Sequence, residues 1–201
     1  MSTKDRLDQI LTRWNLLNHP FYQAWSAGTL PVEALRAYAR EYGAFVNMLP
    51  RGWETLQDEE TAAEEREHAG MWASFAGALG TQVTGVPAIR EASDLTQTAA
   101  QLFSEPSTAL GGLYAFESQQ PATAQSKLDG LRAHYRLPAE VEPYFEVHSH
   151  NEHEARKILA QIEALPPAGQ KQAERACAQM AEGLWNALSG IYGEECMPAK
   201  E

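Results

Sequence analysis

Apolar residues recur at intervals of three and four positions along almost the whole chain, and this periodicity restricts the fold more than any other feature. The first apolar stripe consists of Leu7, Ile10, Leu11, Trp14 and Leu17. Proline and glycine separate successive segments, and the alternation of apolar and polar residues that is typical of a strand is missing from the sequence. The sequence therefore predicts an all-α protein, a bundle of about eight helices joined by short connections.

The size of the chain fits one compact domain. It has 201 residues, of which 44% are hydrophobic, enough for one sizeable core but few for two full domains. We therefore expect a single domain over residues 1–201. Within it, the pattern predicts that the longest helix runs from about Pro138 to Leu165 and that a last helix fills most of 168–193.

Charge and hydropathy argue against several classes of partner. A net charge of −11 disfavours binding to nucleic acid or to an anionic membrane surface, both of which attract basic proteins. Apolar runs are too short to span a bilayer, and the N-terminal residues 1–7 lack the hydrophobic stretch of a signal peptide. We expect a cytoplasmic protein that binds neither nucleic acid nor membrane, with a homodimer as the commonest oligomeric state for such proteins.

Three acids and two histidines lie on the apolar faces of four separate helical segments. These residues are Glu60, His68, Glu117, His148 and Glu152. Apolar faces turn inward, and charged side chains are almost never fully buried unless something pairs with them. Carboxylates and imidazoles that converge inside a helical bundle are typical of carboxylate-bridged di-metal centres. Because these ligands are oxygen and imidazole without thiolate, they favour iron or manganese, and the sequence indicates a metal-dependent oxidative enzyme.

Helical geometry separates the histidines of the segment from Tyr144 to Arg156. His148 and Glu152 share the core stripe of the predicted helix and, four residues apart, are neighbours on one face. His150 and His153 fall on the opposite, polar stripe, where they could bind adventitious metal. The alternative for His148 and Glu152 is a buried hydrogen-bonded pair without a metal.

Other members of the set also have a purely structural alternative. His68 shares its face with Trp72 and Phe75, as a core histidine would. Glu60 is aligned with the apolar Trp53, but it also belongs to an acidic run of the kind that usually faces solvent. Lys127 lies on an inward face, where it is either a functional amine or a lysine whose charged end reaches the surface.

Three segments of the chain resemble the CADD-like proteins, which are named for the Chlamydia protein associating with death domains. The segments are His19-Pro-Phe-Tyr-Gln-Ala-Trp25, Tyr114-Ala-Phe-Glu-Ser-Gln-Gln-Pro121 with the following Lys127, and Tyr144-Phe-Glu-Val-His148. CADD-like proteins belong to the haem-oxygenase-like di-metal oxidases, a superfamily that includes the TenA and PqqC types. The resemblance implies a haem-oxygenase-like bundle of roughly seven to eight helices that binds two metal ions, Fe/Fe or Fe/Mn, and no haem.

The same resemblance assigns the metal ligands and shows one departure. Glu60 and His68 match the family's first pair, with a spacing one residue longer, and Glu117 matches the next acid. His148 matches the first position of the His-x3-Asp-x2-His motif, and Glu152 stands for its Asp. Ala155 occupies the last His position. The loss of this ligand would leave a coordination position open, weaken one metal, or require His153 to turn inward.

CADD-like proteins make p-aminobenzoate for folate from one of their own tyrosines, with a lysine as nitrogen donor. The resemblance therefore implies catalytic roles for Tyr22, Tyr38 and Lys127, with O2 as co-substrate and an external reductant as partner. A third family tyrosine is replaced here by Phe116. Three alternatives stay open: a di-metal oxidase of a small-molecule substrate, a metal-free interaction protein, and a TenA-like hydrolase. The last needs a nucleophilic cysteine, and neither Cys177 nor Cys196 lies in a matching motif.

Overall fold

The computed structural model describes the backbone of residues 1–196 and the side chains of residues 1–193, and its regular elements are all helical. The α-helices are α1 (Thr3–Arg13), α2 (Pro20–Ser26), α3 (Val32–Glu41), α4 (Gly43–Val46), α5 (Leu49–Thr55), α6 (Glu59–Ala78), α7 (Arg90–Leu102), α8 (Pro106–Glu117), α9 (Gln120–His134), α10 (Pro143–His148), α11 (His153–Ala164) and α12 (Pro167–Cys196). Short 3₁₀ turns cover Leu16–Asn18 and Ala139–Val141. The prediction of an all-α fold is confirmed.

Side chains that cap helix termini account for several of the helix starts. Ser2 and Asp5 form a reciprocal capping box at the start of α1. At α2, the imidazole of His19 accepts the backbone N–H of Phe21, and Pro20 occupies the first helical position. Asp58 accepts the backbone N–H of Thr61 and begins α6. These local interactions set the register of each helix independently of its predecessor.

The middle of the bundle is the contact between α8 and α12. Every residue of α8 from Ala109 to Glu117 is buried, so this helix is surrounded on all sides. Gly111 permits the close approach, since a β-carbon there would lie 2.0 Å from the carbonyl oxygen of Ala173 in α12. Glu117, at the C-terminal end of α8, is thereby buried within the bundle.

The predicted long helix from Pro138 to Leu165 is wrong, because the structure divides it. A 3₁₀ turn, α10 and α11 occupy this region, and residues 149–152 form a turn between the two α-helices. Ser149 and Asn151 are residues whose side chains compete with helical backbone hydrogen bonds, which favours a turn here. The last helix, predicted over most of 168–193, is confirmed as α12.

The apolar side chains of the described residues make one contiguous core, from Leu7 in α1 to Ile191 in α12. Within residues 1–196, no helix combines the length and the apolar character that crossing a bilayer requires.

Candidate metal centre

Helix α6 contributes a carboxylate and an imidazole that are hydrogen-bonded to each other. Glu65 and His68, three residues apart on the buried face, have Oε1 and Nδ1 3.0 Å apart. Burial raises the pKa of Glu65, and the hydrogen bond from His68 opposes this shift. For His68 burial lowers the pKa, but the hydrogen bond and charge of Glu65 outweigh it, and the net shift is upward. The second oxygen of Glu65, Oε2, is buried without a hydrogen-bond partner.

Helix α10 presents His148 in the protonation state that a metal ligand needs. Its Nδ1 lies 2.6 Å from the backbone carbonyl oxygen of Tyr144, and because a carbonyl only accepts, Nδ1 carries the proton. Burial and the neighbouring His68 lower the pKa of His148 to about 3, so the ring is neutral. The lone pair therefore sits on Nε2, which is buried and has no hydrogen-bond partner.

Helices α8 and α11 supply two further buried carboxylates. Glu117 is 1% exposed and Glu154 is 0% exposed, and neither has an ion-pair partner among the described basic side chains. Burial, and then the charges of Glu154 and Glu65, raise the pKa of Glu117 well above its ordinary value. Oε1 of Glu117 and both oxygens of Glu154 lack hydrogen-bond partners. Such atoms are costly to bury unless a cation or a proton satisfies them.

These five side chains form two overlapping groups of potential ligands. In the first group, one ligand atom each of Glu65, His68 and His148 lie within 4.8 Å of one another. In the second, the same limit holds for Glu65, Glu117 and Glu154. Glu65 is the one residue of these five that belongs to both groups. The donor set of three carboxylates and two imidazoles, with five unpaired atoms, fits iron or manganese.

The structure confirms the inward position of His68, Glu117 and His148 but contradicts that of Glu60 and Glu152. Both acids are exposed, Glu152 with 76% of its side-chain surface in solvent. Glu60 lies in the first turn of α6 and is not aligned with Trp53, because α5 ends at Thr55 and the chain turns before α6 begins. Glu152 precedes α11, so the stripe extrapolated from His148 does not pass through it.

Glu65 and Glu154 are the buried acids of the cluster in place of Glu60 and Glu152, and neither was predicted from the sequence. A local signal existed for each. Glu65 lies three residues before His68 on one face, and Glu154 lies four residues before the core residue Ile158. Both signals appear only when α6 and α11 are considered as separate helices with their own register.

With Glu154 instead of Glu152 as the acid of the His-x3-Asp-x2-His motif, the last ligand position of the motif moves from Ala155 to residue 157. Three residues after Glu154 comes Lys157, whose amine donates to the Thr61 hydroxyl at 3.2 Å and forms an ion pair with Asp58. Ala155 is partly exposed and lines a cleft of 430 Å³ together with Glu117 and Glu152. His153 is exposed and does not turn into the buried cluster.

Tyr22, Tyr38 and Lys127 meet in the core, as expected. The two phenol oxygens are 3.1 Å apart, and the amine of Lys127 lies 3.3 Å from the oxygen of Tyr38. Lys127 is 3% exposed and lies 5.1 Å from the centre of the Tyr22 ring, so the alternative of a lysine reaching the surface is wrong. Burial lowers the pKa of Lys127 to about 7 and raises the pKa of Tyr22 and Tyr38. About half of the amine is therefore neutral near pH 7, and both phenols are protonated.

A series of aromatic rings joins this trio to the metal ligands. Tyr38 lies 5.2 Å from Trp72, Trp72 lies 4.8 Å from Tyr144, and Tyr144 stacks on His148 at 4.1 Å, all measured between ring centres. The hydroxyl of Tyr144 accepts a hydrogen bond from Gln120. These rings therefore form a continuous line of contacts from the trio to His148.

Cysteine chemistry is not supported by the described residues. Cys177 is buried in α12, and burial raises the pKa of its thiol to about 12. Such a thiol is not a nucleophile at neutral pH. The side chain of Cys196 lies outside the described residues.

Comparison with known proteins assigns the family. Residues 50–187 match the family described as iron-containing redox enzymes, which is more than half of the chain. The chain belongs to this family. Residues 7–70 also match the TENA/THI-4/PQQC family. Membership agrees with the buried carboxylate and imidazole cluster and identifies the protein as a redox enzyme of the iron-containing class.

Individual relatives agree with the CADD-like resemblance. A 4-aminobenzoate synthase of Nitrosomonas europaea is 33% identical, over 96% of this chain and 92% of that protein. A Shewanella denitrificans domain with a haem-oxygenase-like fold superposes with a TM-score of 0.79 at 15% identity, over 96% and 93% of the two chains. A CADD-like protein of unknown function from Nostoc punctiforme superposes with a TM-score of 0.64 at 16% identity, over 98% and 97%. The haem-oxygenase-like fold is thereby confirmed.

Proposed function

We propose that this protein forms p-aminobenzoate in an O2-dependent reaction at a non-haem di-metal centre and consumes its own Tyr22 and Lys127. The relative from Nitrosomonas europaea, named as a 4-aminobenzoate synthase, supports the product. The observation that carries the proposal is the placement of a buried lysine amine beside two buried tyrosines, joined by aromatic rings to buried carboxylate and imidazole atoms without hydrogen-bond partners.

The five buried carboxylate and imidazole side chains of the cluster would be the metal ligands. Glu65, His68 and His148 would hold one ion, Glu117 and Glu154 the second, and Glu65 would bridge them. Bound iron, or iron with manganese, would supply the reduction of O2 and the one-electron oxidising power that no side chain can provide. Electrons beyond those drawn from the protein would come from an external reductant.

Tyr22 is suited to supply the carbon skeleton. A tyrosine side chain contains the aromatic ring and the single attached carbon that p-aminobenzoate needs. Cleavage of the Cα–Cβ bond would release this skeleton, with Cβ oxidised to the carboxylate at the expense of O2. The phenol oxygen would leave as water when the Lys127 nitrogen replaces it, and the Cε–Nζ bond of Lys127 would then break. Oxidation of a phenol requires loss of a proton as well as an electron. Tyr22 and Tyr38 share a hydrogen bond, and the amine of Lys127 donates to the Tyr38 oxygen at 3.3 Å. When the amine is neutral, its lone pair could instead accept from the Tyr38 hydroxyl, and the proton would then pass from Tyr22 by way of Tyr38 to Lys127.

Lys127 is suited to supply the nitrogen. Its amine is fully buried and its pKa is lowered to about 7, so a large fraction carries the lone pair that attack on an oxidised ring requires. It lies over the Tyr22 and Phe145 rings, 5.1 Å from each ring centre. The described residues that contact it include no carboxylate that would hold it protonated.

Complementation in a bacterial strain unable to make p-aminobenzoate tests the chemistry. The wild-type protein should restore growth, and Tyr22→Phe and Lys127→Ala should each abolish rescue. Tyr192→Phe and Lys171→Ala are matched controls outside the site and should rescue fully. Protein recovered from rescued cells should carry a mass change on the peptide that contains Tyr22.

Either of two results would contradict self-consumption. Rescue by Tyr22→Phe together with Lys127→Ala would leave a di-metal oxidase acting on a small molecule. An unchanged mass of the Tyr22 peptide, in protein that has formed many molecules of p-aminobenzoate, would also contradict self-consumption.

Metal analysis of protein produced with added iron and manganese tests the ligand assignment. Glu154→Gln should lose bound metal, because it removes a buried ligand, whereas Glu152→Gln should retain it. Glu65→Gln and Glu60→Gln form a second pair with the same expectation. Loss of metal in Glu152→Gln with retention in Glu154→Gln would overturn the assignment.

A further inference from the structure

A third group of potential ligands lies directly outside the buried cluster. Ligand atoms of Glu64, His153 and Glu154 lie within 4.8 Å of one another. Glu64 and His153 are exposed, whereas Glu154 is completely buried. Both oxygens of Glu154 lack hydrogen-bond partners, so a buried, unsatisfied carboxylate forms the inner side of an otherwise solvent-facing group.

The group is constructed from two pairs of consecutive residues. On α6, Glu64 faces solvent and Glu65 faces the core; on α11, His153 faces solvent and Glu154 faces the core. Glu64 and His153 lie close together at the surface. Glu65 and Glu154 lie close together in the buried cluster with Glu117. Glu154 belongs to both the outer and the inner group and so connects them without a gap.

We infer that Glu64, His153 and Glu154 form a surface site for a divalent cation, through which iron or manganese enters the buried centre. This inference rests on the proposed di-metal centre, to which it adds a site and a route. A hydrated cation would first exchange some of its water for the exposed carboxylate and imidazole. Glu154 would then hold it while the remaining water is replaced by Glu65 and Glu117.

The chemistry of the group favours a cation over other ligands. The exposed part of the group offers a carboxylate and an imidazole, and the buried part offers only carboxylate oxygens. An anion would be repelled by Glu64 and Glu154. Because the two unsatisfied oxygens of Glu154 are buried behind Glu64 and His153, a positive ion bound at the surface would meet a further carboxylate on its inner side.

Metal uptake by the metal-free full-length protein tests the inference. Co²⁺ alone is mixed with the protein, and its absorption on coordination is followed in time; the final metal content is measured separately. Glu64→Gln and His153→Ala should slow uptake by about tenfold, the scale on which residues adjoining a metal site affect it. Their final content of tightly bound metal should equal that of the wild type, because the buried ligands are intact.

Matched controls exist on the same elements. Glu67→Gln on α6 and His150→Ala in the turn before α11 change exposed residues of the same type and should leave the rate unchanged. Equal uptake rates in His153→Ala and His150→Ala would overturn the inference. So would slow uptake in Glu152→Gln with a normal rate in Glu64→Gln, because entry would then pass through the cleft beside Ala155.

The outcomes for the two proposals are distinguishable. If the wild-type protein takes up no tightly bound metal at all, the di-metal centre and the loading site both fail. If it takes up metal at a rate that Glu64→Gln and His153→Ala leave unchanged, only the loading site fails.

Discussion

Burial gives Lys127 properties that no exposed lysine has. Its amine is enclosed by aromatic rings, with the Tyr38 hydroxyl as its hydrogen-bond partner. Transfer of an ammonium ion into such surroundings is unfavourable, which is why the pKa of Lys127 is lowered from 10.5 to about 7. The fold therefore loses stability at this position, and a reactive amine is the result.

The cost of burying Lys127 should depend on pH with a defined sign. The unfolded chain holds the proton up to about pH 10.5, whereas the folded protein releases it near pH 7. Between these values the unfolded state binds more protons, so stability rises with pH. Lys127→Met should therefore stabilise the protein by several kcal/mol below about pH 7, at about 1.4 kcal/mol for each unit of the pKa shift. Urea denaturation across the pH range measures this.

The advantage of Lys127→Met should shrink as the pH rises from 7 towards 10.5, where the wild-type amine is neutral in both states. Lys171→Met, at an exposed position, should change stability little at any pH. A gain that is the same at all pH values would mean that the improved packing of methionine, and not charge, is its cause.

At the scale of elements, the contact between α8 and α12 positions the centre. Gly111 lies on α8 six residues before Glu117 and packs directly against the backbone of α12. The two helices can approach this closely only because Gly111 has no side chain. Any separation of α8 from α12 would also displace Glu117 from the other carboxylates.

Substitution of two glycines should have opposite effects on stability. Gly111→Ala should destabilise the protein by about 1–3 kcal/mol or more, because the new methyl group would overlap the carbonyl oxygen of Ala173. Gly70→Ala, on an open part of α6 with no atom within 4 Å of the new carbon, should stabilise it by about 0.5–1 kcal/mol. Chemical denaturation of both variants tests the pair. Equal effects would contradict the close packing at Gly111.

At the scale of the whole molecule, the centre joins helices that are distant in sequence. The proposed ligands come from α6, α8, α10 and α11. Three of these ligands are carboxylates that are buried close together. Burial, and then the charges of Glu154 and Glu65, raise the pKa of Glu117, so an ionised carboxylate at this position is unfavourable without a cation. The metal-free fold is thus strained by its own site, and a bound cation would relieve the strain.

Glu117→Gln should therefore stabilise the metal-free protein, and increasingly so at higher pH. The unfolded chain loses the Glu117 proton near pH 4.5, while the folded protein keeps it to a higher pH. Above pH 4.5 the folded state binds more protons, so the wild-type stability contribution falls as the pH rises. Thermal denaturation of the metal-free proteins at about pH 5 and pH 8 measures the difference, with exposed Glu67→Gln as the control.

Added metal should reverse the order of stability. Iron or manganese at a hundred times its dissociation constant should stabilise the wild type by about 2.7 kcal/mol, and Glu117→Gln by much less. A metal-free wild type that equals Glu117→Gln at both pH values would show that the ionised Glu117 carboxylate is not destabilised in the folded protein.

The sequence by itself determined the helical class, most helix positions and three of the five cluster residues. It did so because the direction of a side chain within one helix follows from a local period that the residues themselves display. His68 lies inside α6, and Glu117 and His148 are the last residues of α8 and α10, so each belongs to the helix whose stripe the sequence shows. The resemblance to CADD-like proteins pointed to Tyr22, Tyr38 and Lys127, which the structure brings into contact although no period relates residues 38 and 127.

Only the tertiary structure decided between Glu60 and Glu65, and between Glu152 and Glu154. In both cases a turn separates the acid from the helix whose apolar stripe predicted an inward side chain. A turn changes the direction of the chain by an amount that depends on its own backbone angles, such as the positive φ of Gln57 before α6. Helical period carries no information across such a break, so the final ligand set depends on how the separate helices pack around one core.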